Sequence, residues 1–166
     1  MKHFRANRLK RFWKDEDGAH LVEFALLVPM LFLIFAAIIV SGRIFWSYQS
    51  TIAGVRDATR YLSRAAPRDI CLTGGSVAGF QGQLETIVRT TSSGATLFPS
   101  NVTVNSVVPS VACVAGTYRG GNAPIATVTA SLTITIPFSG IFSFHGGQGL
   151  STINTTVVDQ NRIYGT

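Results

Sequence analysis

Glu23 is the one acidic residue within the apolar segment from Ala19 to Ser41. An ionised carboxylate inside a membrane costs on the order of 3 kcal/mol even on a lenient insertion scale, so it requires a partner or access to water. Glu23 therefore either pairs with a positive group of an assembled complex or lies at headgroup depth and reaches into water. The sequence leaves both alternatives open.

Hydrolytic chemistry is a second possibility, and the motifs for it are incomplete. Residues Gly74 to Ala78 miss the G-x-S-x-G nucleophile motif at its last position, and His145-Gly146-Gly147 only resembles an esterase oxyanion loop. The remaining histidines and the cysteines do not have the spacing of metal ligands. We therefore expect a protein that is not an enzyme and that has neither a cofactor nor a metal site.

The segment that contains Glu23 is long enough to cross a bilayer. Phe24 to Gly42 are 19 residues without a charge, and as a helix they cover about 28 Å at ~1.5 Å per residue. Pro29 predicts a kink and no break, because a membrane helix tolerates proline when neighbouring groups satisfy the backbone. We expect a transmembrane helix over residues 19–42.

The N-terminal flank, residues 1–18, is basic and indicates the orientation of this helix. Its six cations are Lys2, Arg5, Arg8, Lys10, Arg11 and Lys14, and they predict a cytoplasmic N-terminus. A secretory signal peptide has its small-residue cleavage site after the apolar region, whereas Gly18 precedes it. The flank is thus a leader of a different kind.

Cys71 and Cys113 are the only cysteines, and this orientation places both outside the cytoplasm. In an oxidising compartment such a pair predicts a disulfide that closes a loop of about 43 residues and stabilises the fold by ~4 kcal/mol in the chain-entropy model. The alternative is two buried free thiols.

Residues 43–66 continue the helical pattern as a stem. Apolar or small side chains recur at steps of three and four, which predicts one stripe along the helix: Phe45, Tyr48, Ile52, Val55, Thr59 and Leu62. The stripe packs either on the chain's own globular domain or on a neighbouring subunit. Pro67 then ends the helix.

Arg56, Arg60 and Arg64 lie four residues apart on the stem. Like charges at this spacing repel mildly, and Asp57 can compensate only part of them. They form either a solvated face or a contact with an acidic partner surface.

Residues 67–166 predict an extracytoplasmic α+β domain. Leu84, Ile87 and Val88 mark a short helix over Gln83 to Thr90. Alternation of apolar and polar residues marks three strands: Val102 to Val108, Ala126 to Pro137, and Ser151 to Gln160. The loop Phe138 to Gly149 carries apolar side chains that serve as core, flap or contact patch. The predicted fold is a long N-terminal membrane-spanning helix packed on a three- to four-stranded antiparallel sheet.

Composition limits the remaining possibilities. A chain of 166 residues with 46% apolar content holds one membrane helix and one domain of roughly 100 residues. Of the formal charge of +6, the leader carries half. The rest is too small and too scattered for a nucleic-acid-binding surface.

The segment from Gly18 to Phe24 resembles the processing site of the type IV pilin superfamily: a glycine, four variable residues, a glutamate and an aromatic residue. Together with Ala25 to Pro29, Ser41-Gly42-Arg43 and Val55 to Tyr61, it is similar to TadE-like pseudopilins of the tight-adherence pilus system. The similarity covers about residues 14–66.

This resemblance implies a pilin-like fold and specific roles for several residues. A prepilin peptidase would cut between Gly18 and Ala19, and Glu23 and Phe24 would serve peptidase recognition and subunit register. Phe24 replaces the tyrosine usual in major pilins of this branch, and the chain is much longer than those pilins. Both departures favour a minor pilin or pseudopilin.

The functional hypothesis is therefore a single-pass inner-membrane protein that acts in assembly or priming of a type IVb, tight-adherence pilus. The implied partners are the prepilin peptidase, other pilin or pseudopilin subunits, the inner-membrane assembly platform and membrane lipid, without nucleic acid. The alternative is an uncleaved bitopic membrane protein whose extracytoplasmic domain binds a ligand.

Overall fold

A computed structural model describes residues 17–91, 93–118, 121–136, 139 and 151–165. In these parts the chain forms three α-helices, a short 3-10 turn at Ala78–Phe80 and three strands. They are α1 (Asp17–Ala65), α2 (Ile70–Thr73), α3 (Gln81–Arg89), β1 (Val102–Val114), β2 (Ala123–Thr135) and β3 (Thr152–Arg162). The chain divides into two compact units at the Gly42–Arg43 boundary.

The first unit contains the apolar part of α1, and it is long and apolar enough to cross a membrane. Its large side chains are exposed within the chain, among them Phe24, Leu26 and Phe32, as expected for a helix whose surroundings are lipid. The helix continues through Pro29, so the prediction of no break at this residue is confirmed.

In the second unit, the stem residues of α1 bury one face of small and polar side chains. Val55, Ala58 and Leu62 are inaccessible to solvent and belong to the same core cluster as the inner residues of the sheet. Tyr48 and Ile52 pack against this cluster. The predicted stripe is therefore buried over most of its length.

Phe45 is the exception in the stripe. It is 64% exposed, so the first of the two predicted alternatives, packing on the chain's own domain, does not hold for this residue. The adjacent Ile44 is partly buried against the core cluster, and Ser47 is fully buried. A helical period identifies which residues share a face, but it does not identify which edge of that face the domain covers.

Four buried hydroxyls on the stem are satisfied within the helix itself. Ser47 donates to the Arg43 carbonyl and Thr51 to the Ser47 carbonyl, both at 2.9 Å, while Thr59 donates to the Val55 carbonyl and Ser63 to the Arg60 carbonyl, both at 2.8 Å. Back-bonding of this kind removes the cost of burying an unpaired hydroxyl. Because of these hydrogen bonds, short polar side chains can line a helix face that packs closely against other elements.

Gly54 packs against the backbone of α3. A side chain built at this position would place its Cβ 3.2 Å from the Val88 Cα and 3.3 Å from the Val88 carbonyl oxygen. A residue with a Cβ would therefore force one of the two helices to shift by a few tenths of an ångström.

The strands form one antiparallel sheet in the order β1–β2–β3. Val107, Ala130 and Val157 pair across the three strands and are all buried. The alternating inner residues of β2, from Ala126 to Ile134, are buried as predicted. The predicted fold class, a long N-terminal helix with a small antiparallel sheet, is confirmed.

A β-bulge in β1 changes which face its later residues occupy. The pairing shifts between Val104 and Ser106. After the shift Val107 is fully buried and Val108 is 49% exposed. One extra residue in one strand of a pair inverts the alternation beyond it, so the uninterrupted alternation read from the sequence does not hold for this strand.

The outer face of the sheet is polar and is joined by side-chain hydrogen bonds across all three strands. Asn105 donates to the Thr133 hydroxyl at 2.8 Å, and Thr133 in turn donates to the Asn154 carbonyl oxygen at 2.7 Å. Such cross-strand pairs stabilise the register.

The remaining boundaries differ modestly from those predicted. The helix α3 covers Gln81–Arg89, β1 continues to Val114 and β3 ends at Arg162. The short α2 was not predicted, because four residues are too few to show a helical period. Apart from Ser139, the predicted loop Phe138 to Gly149 lies outside the described residues.

The C-terminal residues after β3 return to the stem. Ile163 is buried and its N–H donates to the Pro124 carbonyl at 2.9 Å, while the Tyr164 N–H donates to the Ser63 carbonyl at 2.8 Å. The last described residues are thus bonded both to β2 and to the outer end of α1.

Candidate functional site

The predicted processing segment, Gly18 to Phe24, occupies the first turns of α1, which begins at Asp17. Among the residues that the structure describes, no heavy atom outside the local chain lies within 4 Å of the position that a Cβ on Gly18 would take. Phe24 is 69% exposed. Within the described residues, the segment is therefore open to approach by another molecule.

Glu23 has one charged or ionisable neighbour among the described residues. The Nδ1 of His20 lies 3.9 Å from its Oε2, with 86% of the histidine side chain and 72% of the glutamate side chain exposed. A separation of 3.9 Å at such exposure is a loose contact. The carboxylate thus has room for a closer partner.

His20 was not predicted as a neighbour of Glu23, although residues three apart on a helix lie on the same face.

The three stem arginines are exposed but do not form a single site. The Nη1 of Arg60 lies 3.7 Å from the Asp57 Oδ1, and these two and Arg64 line one shallow depression. Arg56 lines a different depression between the stem and β3, beside Asp159. Each step of four residues advances about 40° around the helix axis, so Arg56 and Arg64 project in different directions.

Cys71 and Cys113 form a disulfide with their Cα atoms 5.7 Å apart. The bridge connects α2, which follows the stem, to the end of β1. Its existence confirms the predicted pairing. It also explains the function of α2, which presents Cys71 to the sheet.

An open groove that the sequence did not predict lies near the C-terminus of β3. The Arg162 guanidinium lies 5.5 Å from the centre of the Tyr118 ring and 5.9 Å from that of Tyr164, distances at which a cation and an aromatic face attract. Arg68 and Leu72 also line the groove. These residues come from three separate segments, so no local pattern could have grouped them.

Among the residues that the structure describes, no three His, Cys, Asp or Glu side chains are grouped so that they could hold a metal ion. The features that remain are an exposed motif on an apolar helix, a charged stem and a disulfide-bonded domain. This combination supports contacts with other molecules.

Comparison with known proteins identifies one similarity. Residues 18–60, about a quarter of the chain, match the family model described as TadE-like protein. Neither a curated protein nor a solved structure is significantly similar to the chain. The match begins at Gly18 and covers the apolar part of α1 and most of the stem, which suggests a protein associated with a Tad pilus.

Proposed function

We propose that this chain, whose residues 18–60 match TadE-like proteins, is a minor pilin or pseudopilin that acts in assembly or priming of a tight-adherence, type IVb pilus. The observation that carries the proposal is the exposed segment Gly18 to Phe24 at the start of an apolar helix that no other described part of the chain covers. A motif with these residue types, at this place on such a helix, has the form of a substrate for a membrane-face peptidase.

In this proposal the prepilin peptidase cuts between Gly18 and Ala19. A protease must bring its catalytic groups close to the backbone, and glycine removes the side chain that would obstruct this approach. Among the described residues, none outside the local chain lies within 4 Å of a Cβ placed on Gly18, so the backbone at this residue is accessible. Local unwinding of the first turn suffices to present the bond, since helix ends fray readily.

Glu23 then acts in subunit contacts. Cleavage gives Ala19 a new positive amine, and a neighbouring subunit shifted along the helix axis brings its own amine against the Glu23 carboxylate. In a low-dielectric setting such a pair offsets the burial cost of each ion and thereby favours one register. The loose contact to His20 at 3.9 Å leaves the carboxylate available for this closer partner.

The proposed location is the inner membrane, with a cytoplasmic leader and a periplasmic or extracellular domain over residues 67–166. The disulfide Cys71–Cys113 is consistent with an oxidising compartment for this domain. The partners are the peptidase, other pilin or pseudopilin subunits, the assembly platform and membrane lipid. The exposed stem arginines, Arg56, Arg60 and Arg64, are available for contact with acidic surfaces of such subunits.

The test is the mass of the membrane-extracted protein in cells that contain the peptidase. The parent chain is expected to begin at Ala19, whereas Gly18→Leu is expected to retain the leader. Gly42→Leu is the matched control, because it adds the same side chain to the same helix at another position without neighbours within 4 Å. It should be processed normally. A Gly18→Leu chain that still begins at Ala19 would show that the cleavage site is assigned wrongly.

The groove beside Arg162 favours the alternative of a bitopic protein that binds a ligand, since exposed Tyr118 and Tyr164 rings with an arginine between them form a polar and aromatic surface. The same measurement separates the two functions. An intact leader on the parent chain in cells with active peptidase would support the alternative and contradict the pilin assignment.

A further inference from the structure

The exposed apolar surface of α1 does not end where the uncharged segment ends. Phe45 and Trp46 follow Gly42 by three and four residues and are 64% and 54% exposed. After Trp46 the next exposed large apolar side chain of the helix is Tyr61. The positions between them are buried, partly buried, polar or small.

The distance from Gly42 to this transition equals the thickness of a lipid headgroup layer. The headgroup regions add roughly 5–7 Å on each side of the hydrocarbon core, which corresponds to four or five residues of helix at ~1.5 Å each. Counted from Gly42, that distance ends at Trp46 or Ser47. Ile44 is partly buried against the core cluster and Ser47 is the first fully buried residue of the stem, so Phe45 and Trp46 are the side chains of this interval that stay uncovered.

The side chains in this short interval have the chemistry of a membrane interface. Arg43 is the first charged residue after the 19-residue uncharged run and lies three residues before Trp46, so both share one helix face. Arginine reaches headgroup phosphates from the interface, and the indole places an apolar ring and an N–H donor at the same depth. Tryptophan is enriched at this depth in membrane proteins for that reason.

We propose that Phe45 and Trp46, with Arg43, form an interfacial anchor that binds the phospholipid headgroup layer on the side of the outer domain. This inference rests on the membrane anchoring in the proposed function, but it does not depend on cleavage of the leader. The anchor holds the first buried turn of the stem at the membrane surface. It fixes the depth of the helix and thus the height at which the stem arginines are presented.

The chain offers a direct probe, because it contains two tryptophans, Trp13 and Trp46. Trp13→Phe leaves Trp46 as the sole tryptophan whether or not the leader is removed. The full chain is reconstituted into phosphatidylcholine and phosphatidylglycerol vesicles. Its fluorescence is measured with lipids brominated near the headgroup end or near the methyl end of the acyl chains, and with acrylamide in the water.

Two controls place the tryptophan at other depths on the same face of the helix. Both carry Trp13→Phe and Trp46→Phe, one with Phe32→Trp and the other with Ala53→Trp. Phe32 and Ala53 are exposed. Position 32 is ~15 Å inside Gly42, near the bilayer midplane, and position 53 is seven residues or ~10 Å beyond Trp46. Formation of the Cys71–Cys113 bridge, read from non-reducing electrophoresis, shows that each variant has folded.

The expected result is strongest quenching of Trp46 by bromine near the headgroup end, with loss of that quenching in both controls. The tryptophan at position 32 responds most to bromine near the methyl end, and the tryptophan at position 53 responds most to acrylamide. A Trp46 that responds like position 53 overturns the anchor, because the residue then lies in water. A Trp46 shielded from all three quenchers also overturns it, because a second copy then covers the ring. Vesicle flotation separates these failures from a failure of the proposed function, since a chain that does not float is not membrane-anchored at all.

Discussion

Glu23 places a carboxylate at the start of a helix that is otherwise apolar until Arg43. In the single chain this carboxylate is 72% exposed, and among the described residues its one ionisable neighbour is the His20 imidazole at 3.9 Å. An exposed charge in an isolated subunit becomes a costly buried charge in a lipid or subunit environment. The proposed contact with a neighbouring subunit would supply a partner for it.

The substitution Glu23→Gln tests this contact, because it keeps the shape and removes the charge. We expect the variant to insert and to be cut after Gly18. Its crosslinking to other pilin subunits should fall by at least about tenfold, equivalent to ~1.4 kcal/mol, since an amine facing it would be left unpaired. Crosslinking in intact cells followed by mass spectrometry measures both outcomes.

Two further variants control for other causes. Glu85→Gln removes an exposed acid from α3, where the carboxylate contacts Arg89 at 3.8 Å, and should leave crosslinking unchanged. His20→Ala removes the neighbour seen in the single chain. If His20→Ala reproduces the loss and Glu23→Gln does not, the pairing with a neighbouring amine is incorrect.

At the scale of single residues, the sequence predicts the importance of those that differ clearly from their neighbours in the chain. Glu23 is conspicuous because its neighbours are apolar, and Cys71 and Cys113 because there are no other cysteines. The stacking of Arg162 on Tyr118 was not predictable, because the two residues are brought together only by the pairing of β2 with β3 and the turn before β2. Exposure of Phe45 and Trp46 likewise depends on where the domain begins to cover the helix.

Among the elements, the packing of α1 on α3 depends on the absence of a side chain at Gly54. By helix propensity alone, this glycine weakens the helix by about 1 kcal/mol relative to alanine. The structure gives it a positive role, because the Val88 backbone occupies the space that a Cβ would need. A glycine required by a contact with a distant element cannot be distinguished in the sequence from one that is merely tolerated.

Replacement of Gly54 by leucine is expected to destabilise the outer domain by about 1–3 kcal/mol, because overpacking forces the two helices apart. Urea unfolding of the detergent-solubilised chain, followed by circular dichroism, measures the change. Gly82→Ala is the control, since Gly82 lies in α3 with no neighbour within 4 Å and should gain up to ~1 kcal/mol from helix propensity. Equal stability of Gly54→Leu and the parent would mean that the close approach of the helices is not required.

In the sheet, too, features set by one strand's own sequence were predicted, whereas features that depend on a partner strand were not. The strict alternation of β2 predicted its inner face correctly, because that strand pairs on both sides and has no irregularity. The bulge between Val104 and Ser106 in β1 escaped prediction. A bulge is a mismatch in count between two strands, so it exists only once a partner strand and its register are specified.

For the molecule as a whole, stability has to be supplied by a small domain. The second unit, Arg43 to Thr166, is of a size at which the total stability is commonly 5–15 kcal/mol. One three-stranded sheet, a short helix and part of α1 surround a single core cluster. The disulfide between α2 and β1 therefore contributes a large fraction of the total.

Cys71→Ser is expected to lower the free energy of unfolding by ~4 kcal/mol, the chain-entropy value for a loop of about 43 residues. The domain should become protease-sensitive while α1 stays in the membrane. Limited proteolysis of membrane vesicles, with and without reductant, measures both effects. Cys113→Ser and the double variant should match Cys71→Ser, because each removes the same bridge. Quantitative thiol labelling of the native, unreduced parent would contradict the bridge itself.

The hydrogen bond from the Tyr164 N–H to the Ser63 carbonyl has a topological consequence. The chain enters the outer domain at the end of α1, and the residues that follow β3 lie beside that same end. Entry and exit are neighbours, as in a module that can be inserted into or appended to a continuous helix. A tag, a label or a further domain fused after Gly165 would accordingly emerge beside the outer end of the stem, away from the polar face that Asn105, Thr133 and Asn154 present. The polar face of the sheet would then stay accessible to a binding partner when a tag or domain is fused to the C-terminus.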